Sequence, residues 1–184
     1  YRGFAKTVVA HQLIMLVKSY GRARVDVSDP TALGPILGES EVLSQVVSML
    51  DEALSDLSAA GSSFSFPLAG FDGFDTPSTF SQFNRAVKAV ALVYAGNKSS
   101  ALTALNSSFF NLNGDLTTGP KHVFSLSAGD VTNGLYKIID NNGDQIIVHN
   151  SFIADAEVGD KRVTDKTIVR SYPTTQDGLN GTHQ

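Results

Sequence analysis

Residues 76–110 read TPSTFSQFNRAVKAVALVYAGNKSSALTALNSSFF, and this stretch decides the fold class. Thr76-Pro77 is a capping residue followed by proline at the first helical position, where the missing N–H would be unpaired anyway and the fixed φ already suits a helix. Apolar residues then recur at three- and four-residue steps (Phe80, Phe83, Val87, Val90, Ala91, Tyr94), which predicts a helix over 77–95. Gly96-Asn97 breaks the pattern, and Ala101, Leu102, Leu105 and Phe109 restart it, predicting a helix over 98–110. A turn this short forces the two helices to pack antiparallel as an αα-hairpin.

The same period runs upstream. Over 2–20, Val9, Leu13, Leu16 and Val17 mark one apolar face, Ala5 and Ala10 allow close neighbours, and Gly21 is placed to end the helix. Asp29-Pro30 and Gly34-Pro35 make 23–38 a loop. A further helix follows, with Ser40 as its expected cap, Glu39 and Glu41 favoured by the helix dipole, and Val42, Leu43, Val46, Val47, Leu50, Ala53, Leu54 and Leu57 as its buried face. Gly61 is the expected stop.

Downstream of Asn111 the texture changes. Tyr136-Lys137-Ile138-Ile139 and Gln145-Ile146-Ile147-Val148 flank Asp140–Asp144, predicting a β-hairpin, and 167–172 predicts a short strand. The last residues, 173–184, read as a polar, mobile tail. The expected fold class is therefore mainly α, helical hairpins followed by an irregular part containing a β-hairpin. The chain reads as one domain over 1–184, divided into a helical scaffold (1–110), an irregular region (111–172) and the tail.

Composition removes several function classes. With 42% hydrophobic and 17% charged residues the chain is globular, and a formal net charge of −4 without a basic run argues against nucleic acid as a partner. The absence of cysteine excludes disulfides, cysteine-ligated zinc and a cysteine nucleophile within this sequence. The apolar run Val8–Val17 is too short to span a bilayer. The chain opens inside a helical pattern with no secretory signal, so an internal piece of a longer protein is expected.

Five stretches carry resemblances, the first to a tetratricopeptide unit and the other four, in chain order, to one family. Ala89, Gly96, Ala101 and Leu105 fall where a tetratricopeptide unit places small, small, small and large residues. Gly3-Phe4-Ala5-Lys6 through Leu16-Val17-Lys18-Ser19-Tyr20-Gly21 resembles, without a gap, the SusD/RagB helix that begins Gly-Glu-Ala-Arg and ends Leu-Val-Arg-Leu-Tyr-Gly. Met49-Leu50-Asp51-Glu52-Ala53 resembles the next helix of that family, and Asn84–Ala101 its aliphatic-Tyr-x-Gly-Asp-Tyr-x-x-Ala segment. Gly159-Asp160-Lys161-Arg162 is similar to its Asp-Pro-Arg element. Phe4 stands in place of the usual glutamate, Lys98 of the usual aromatic and Lys161 of the usual proline.

The resemblance implies a SusD-like α-superhelix and a surface-exposed outer-membrane lipoprotein whose lipid anchor lies outside this segment. It implies non-catalytic capture of nutrient oligosaccharides, or of peptides, and their delivery to a SusC-like TonB-dependent transporter, with no cofactor. The competing expectation is a tetratricopeptide-type scaffold that binds a protein or peptide partner.

The candidate ligand residues are Phe71, Asp72, Phe74 and Asp75, in a loop that also carries Phe64 and Phe66. Sugar rings stack on aromatic faces while carboxylates accept their hydroxyls. The same rings could instead plug the gap between helices two and three, the commoner fate of phenylalanine. Asp140-Asn141-Asn142-Gly143-Asp144 is oxygen-rich but lacks the EF-hand order, so a hairpin turn accounts for it better than calcium. His11, His122, His149 and His183 have no metal-ligand spacing. No nucleophile elbow, phosphate loop or dinucleotide fingerprint occurs, and a non-enzyme is expected.

Overall fold

Gly21, in the left-handed region at φ 68, ends helix α1 (Arg2–Tyr20), and its N–H donates to the Val17 carbonyl. A computed structural model describes residues 1–68, 70–115, 117–125, 131–140, 145–176 and 178–184. They form two compact units, Tyr1–Val123 and Phe124–Gln184.

In the first unit, strands β1 (Arg22–Arg24) and β2 (Ile36–Gly38) pair antiparallel, where the sequence reading had only a loop. Residues 25–35 still turn as Asp29-Pro30 and Gly34-Pro35 require. Gly34 N–H donates to Asp26 O, and the Arg24 guanidinium donates to Gly34 O. Helix α2 (Glu39–Ser58) follows β2 directly. Its cap is therefore Gly38, whose N–H donates to the Glu41 carboxylate at 3.2 Å, and the expected cap Ser40 lies inside the helix.

Helix α3 (Pro77–Tyr94) starts as read, with Thr76 Oγ1 accepting from Thr79 N–H at 3.2 Å. Helix α4 (Lys98–Asn106) is shorter than expected. The Ser108 hydroxyl donates to Leu105 O and accepts from Phe110 N–H, so a side chain takes over the backbone partners a longer helix would need. Consecutive helices pack α1 on α2, α2 on α3 and α3 on α4.

One core joins Ala10, Leu13, Ile14 and Val17 of α1 to Val42, Leu43, Val46 and Leu50 of α2 and to Val87 and Ala91 of α3. Val9 and Leu16, expected on the buried face of α1, are exposed. Gly3 and Thr7 occupy the stripe instead, because α1 approaches α2 too closely for a larger residue. Ala89, Leu92, Ala101 and Ala104 form a second, small-residue cluster between α3 and α4.

In the second unit, helices α5 (Asn150–Ala154) and α6 (Lys161–Lys166) begin at His149 and Asp160, whose side chains accept from Ser151 N–H and Arg162 N–H. Strands β3 (Val169–Gln176) and β4 (Leu179–His183) form an antiparallel hairpin. The described residues are thus mainly helical with two small antiparallel strand pairs, the second a C-terminal β-hairpin.

That hairpin lies where the mobile tail was expected. Residues 136–139 and 145–148 are not strands, and 141–144, the possible calcium turn, lie outside the described residues. The tail outcompetes the predicted pairing. Val148 N–H donates to His183 O, the Gln184 amide donates to Lys137 O, and Ile147 fills the space a Cβ at Gly181 would need.

Candidate functional site

Of the four residues singled out in the Phe-rich loop, the two rings are engaged in separate aromatic contacts within the protein. The Phe71 centroid lies 5.9 Å from Phe4, 5.3 Å from Phe80 and 5.5 Å from Phe83. Phe74 is buried, with its centroid 4.9 Å from Phe109 in an edge-to-face arrangement. Phe64 and Phe66 join the same cluster around Phe4, Phe66 stacking on Tyr1 at 4.7 Å. Phe64 and Phe71 therefore plug a gap between α1 and α3, each meeting Phe4 and Phe80 edge to face. Asp72 and Asp75 are exposed, and the Asp72 N–H donates to Lys121 O.

A polar cleft of about 430 Å³ opens instead along α3 and α4. Ser81, Gln82, Arg85 and Lys88 line it from α3; Ser100, Thr103 and Ala104 line it from α4 and Ser107 from the cap that ends α4; Leu54 contributes from α2. Ser81, Arg85 and Lys88 are four and three residues apart, and Ser100, Thr103 and Ser107 three and four apart, so each set forms one face of its helix. This pair of polar stripes was the signal available in the sequence, and it was missed because the reading followed apolar period alone.

The cations of the cleft are held rigidly. Arg85 is buried, and its Nε and Nη2 donate to Asn84 Oδ1 at 2.8 and 2.5 Å. Nη2 also donates to Leu50 O at 2.6 Å, and Nη1 to Asp51 Oδ1 at 2.8 Å. Lys88 Nζ donates to both Asp51 oxygens, at 2.6 and 2.8 Å. Burial pushes the Asp51 carboxyl up, but hydrogen bonds and charge from Lys88 and Arg85 outweigh it and hold the group below the ordinary carboxylate range.

Among the other lining residues, the Ser81, Thr103 and Ser107 hydroxyls donate to Pro77 O, Ser99 O and Thr103 O at 2.7, 3.3 and 3.4 Å. With their hydrogens donated to the backbone, these hydroxyls keep lone pairs with which to accept from a ligand. The arrangement can bind a polyhydroxylated ligand, with acceptors for its hydroxyls and charged donors for its oxygens.

A second depression, of about 720 Å³, lies on the α3–α4 hairpin and is almost wholly apolar. Val90, Val93, Tyr94, Leu102, Leu105 and Phe109 line it. Val90, Tyr94 and Leu102, which fit the apolar period of α3 and α4, are exposed. Among the described residues, no group of three or more His, Cys, Asp or Glu is placed to hold a metal ion, and no helix is long and apolar enough to cross a membrane. No family model, curated protein or solved structure matches this chain.

Proposed function

We propose that this protein captures oligosaccharides stoichiometrically, without turning them over, as a SusD/RagB-like subunit. On this reading it is a surface-exposed, lipid-anchored outer-membrane protein that delivers its ligand to a TonB-dependent transporter, and its helices are tetratricopeptide-like. The observation that carries the reading is the cleft lined by Ser81, Gln82, Arg85, Lys88 and Thr103, polar side chains set on helices rather than on loops, with Ser107 at the cap of α4. The resemblance supports it independently: Gly3–Gly21 coincides with α1 and its glycine stop, and Asn84–Ala101 spans the turn between α3 and α4. A glycan-array screen paired with a product-release assay tests it. Binding without new reducing ends is the expected result, and hydrolysis overturns it.

The apolar groove of the α3–α4 hairpin favours a second reading, a scaffold that seats an amphipathic helix of a partner protein. A peptide helix presenting leucines at i, i+3, i+4 and i+7 would then bind, and Leu102→Glu would abolish binding while leaving glycan affinity unchanged.

A further inference from the structure

The cleft carries a charge that a neutral sugar does not need. Two cations line it, Arg85 and Lys88, and the carboxylate that pairs with both, Asp51, is not among its lining residues. No Asp or Glu lines it at all, on a chain whose formal net charge is −4. Donor accounting gives the same answer. Of the three Lys88 N–H groups, two are used by Asp51; of the two on Arg85 Nη1, one is. Two charge-assisted donors are left over on residues that line the same cleft as the Ser81, Thr103 and Ser107 hydroxyls.

The Arg85 head is fixed by Asn84, Leu50 O and Asp51, so it is already in place when a ligand arrives. A neutral ligand would cover one surplus positive charge without neutralising it, which is unfavourable. A ligand with one anionic group among hydroxyls matches both sets of partners.

Resting on the capture reading above, we infer that the cleft selects anionic oligosaccharides, with a uronate carboxylate or a sugar sulfate against Lys88 and Arg85 and the ring hydroxyls against Thr103 and Ser107. Calorimetric titration of galacturonic acid trisaccharide, a sulfated galactose trisaccharide and neutral galactotriose tests it. The arms separate carboxylate from sulfate. At least one anionic ligand is expected to bind about tenfold more tightly than the neutral one at low salt, with the preference shrinking as salt rises.

Lys88→Gln is expected to reduce that preference to about threefold or less. On the unmutated protein, amide shifts should cluster at residues 81–88 and 100–107, which keeps the test valid should the variant fold poorly. Equal or tighter binding of galactotriose overturns the inference and leaves the capture reading standing, as does a preference that survives Lys88→Gln with shifts elsewhere. No binding of any glycan by folded protein removes both.

Discussion

Asn84 Nδ2 donates to the Thr7 hydroxyl at 2.8 Å, tying the middle of α3 to the start of α1 between residues 77 positions apart. The same nitrogen reaches Leu50 O at 3.2 Å, the Asn84 side-chain oxygen accepts from Arg85, and the Thr7 hydroxyl donates in turn to Gly3 O. One buried amide thus joins three helices and fixes a cleft cation. Asn84→Ala leaves Leu50 O and the Thr7 oxygen without that donor and should cost about 2–4 kcal/mol. Urea unfolding measures it, and a loss below about 0.5 kcal/mol would show the network to be dispensable.

Gly3 is required by the contact of α1 with α2. A Cβ there would sit 2.7 Å from Leu57 Cγ and 2.8 Å from Ala53 O, the second a backbone atom that cannot swing away. Gly3→Ala should therefore destabilise by about 1–3 kcal/mol, although alanine is favoured over glycine in a helix by about 1 kcal/mol. A rise in the thermal midpoint would mean that the helices separate easily.

Phe71 is read as a packing residue. Removing a half-buried ring that meets Phe4, Phe80 and Phe83 should destabilise by about 1–3 kcal/mol. Glycan affinity, measured below the unfolding midpoint, should be unchanged in Phe71→Ala. A specific loss of glycan binding with stability intact would return the site to the loop.

The Asp51 carboxyl titrates below its ordinary value, so the folded state binds its proton less readily than the unfolded chain does. Its contribution to stability is present at pH values above the unfolded-state value and lost as pH falls below about 4 toward the lowered folded value. Unfolding followed from pH 6 to pH 2 should show a smaller acid loss in Asp51→Asn than in the parent. Identical pH profiles would contradict the Lys88–Asp51–Arg85 linkage.

Much of the helical part was legible because its signals are local. Thr76-Pro77 and Gly21 mark boundaries by backbone chemistry that no tertiary contact overrides. Which face of each helix is buried was less legible, since Val9, Leu16, Val90 and Leu102 fit the apolar period yet are exposed. Thr7 and Asn84, the buried polar partners, carry no periodic signal. The predicted 136–148 hairpin failed through competition: β4 and Gln184, far away in sequence, supply the hydrogen bonds to Val148 and Lys137. The cleft was invisible to apolar patterning, and its cations are recognisable only once Asp51 is known to sit outside it.

The most direct test of stoichiometric glycan capture is a calorimetric titration of the protein with a panel of oligosaccharides, followed by mass analysis of the recovered ligand. The account predicts saturable binding near one ligand per chain, weakened by Thr103→Leu, with every oligosaccharide recovered at its starting length. Shortened products, or no glycan binding by folded protein that does bind an amphipathic helix, would contradict it.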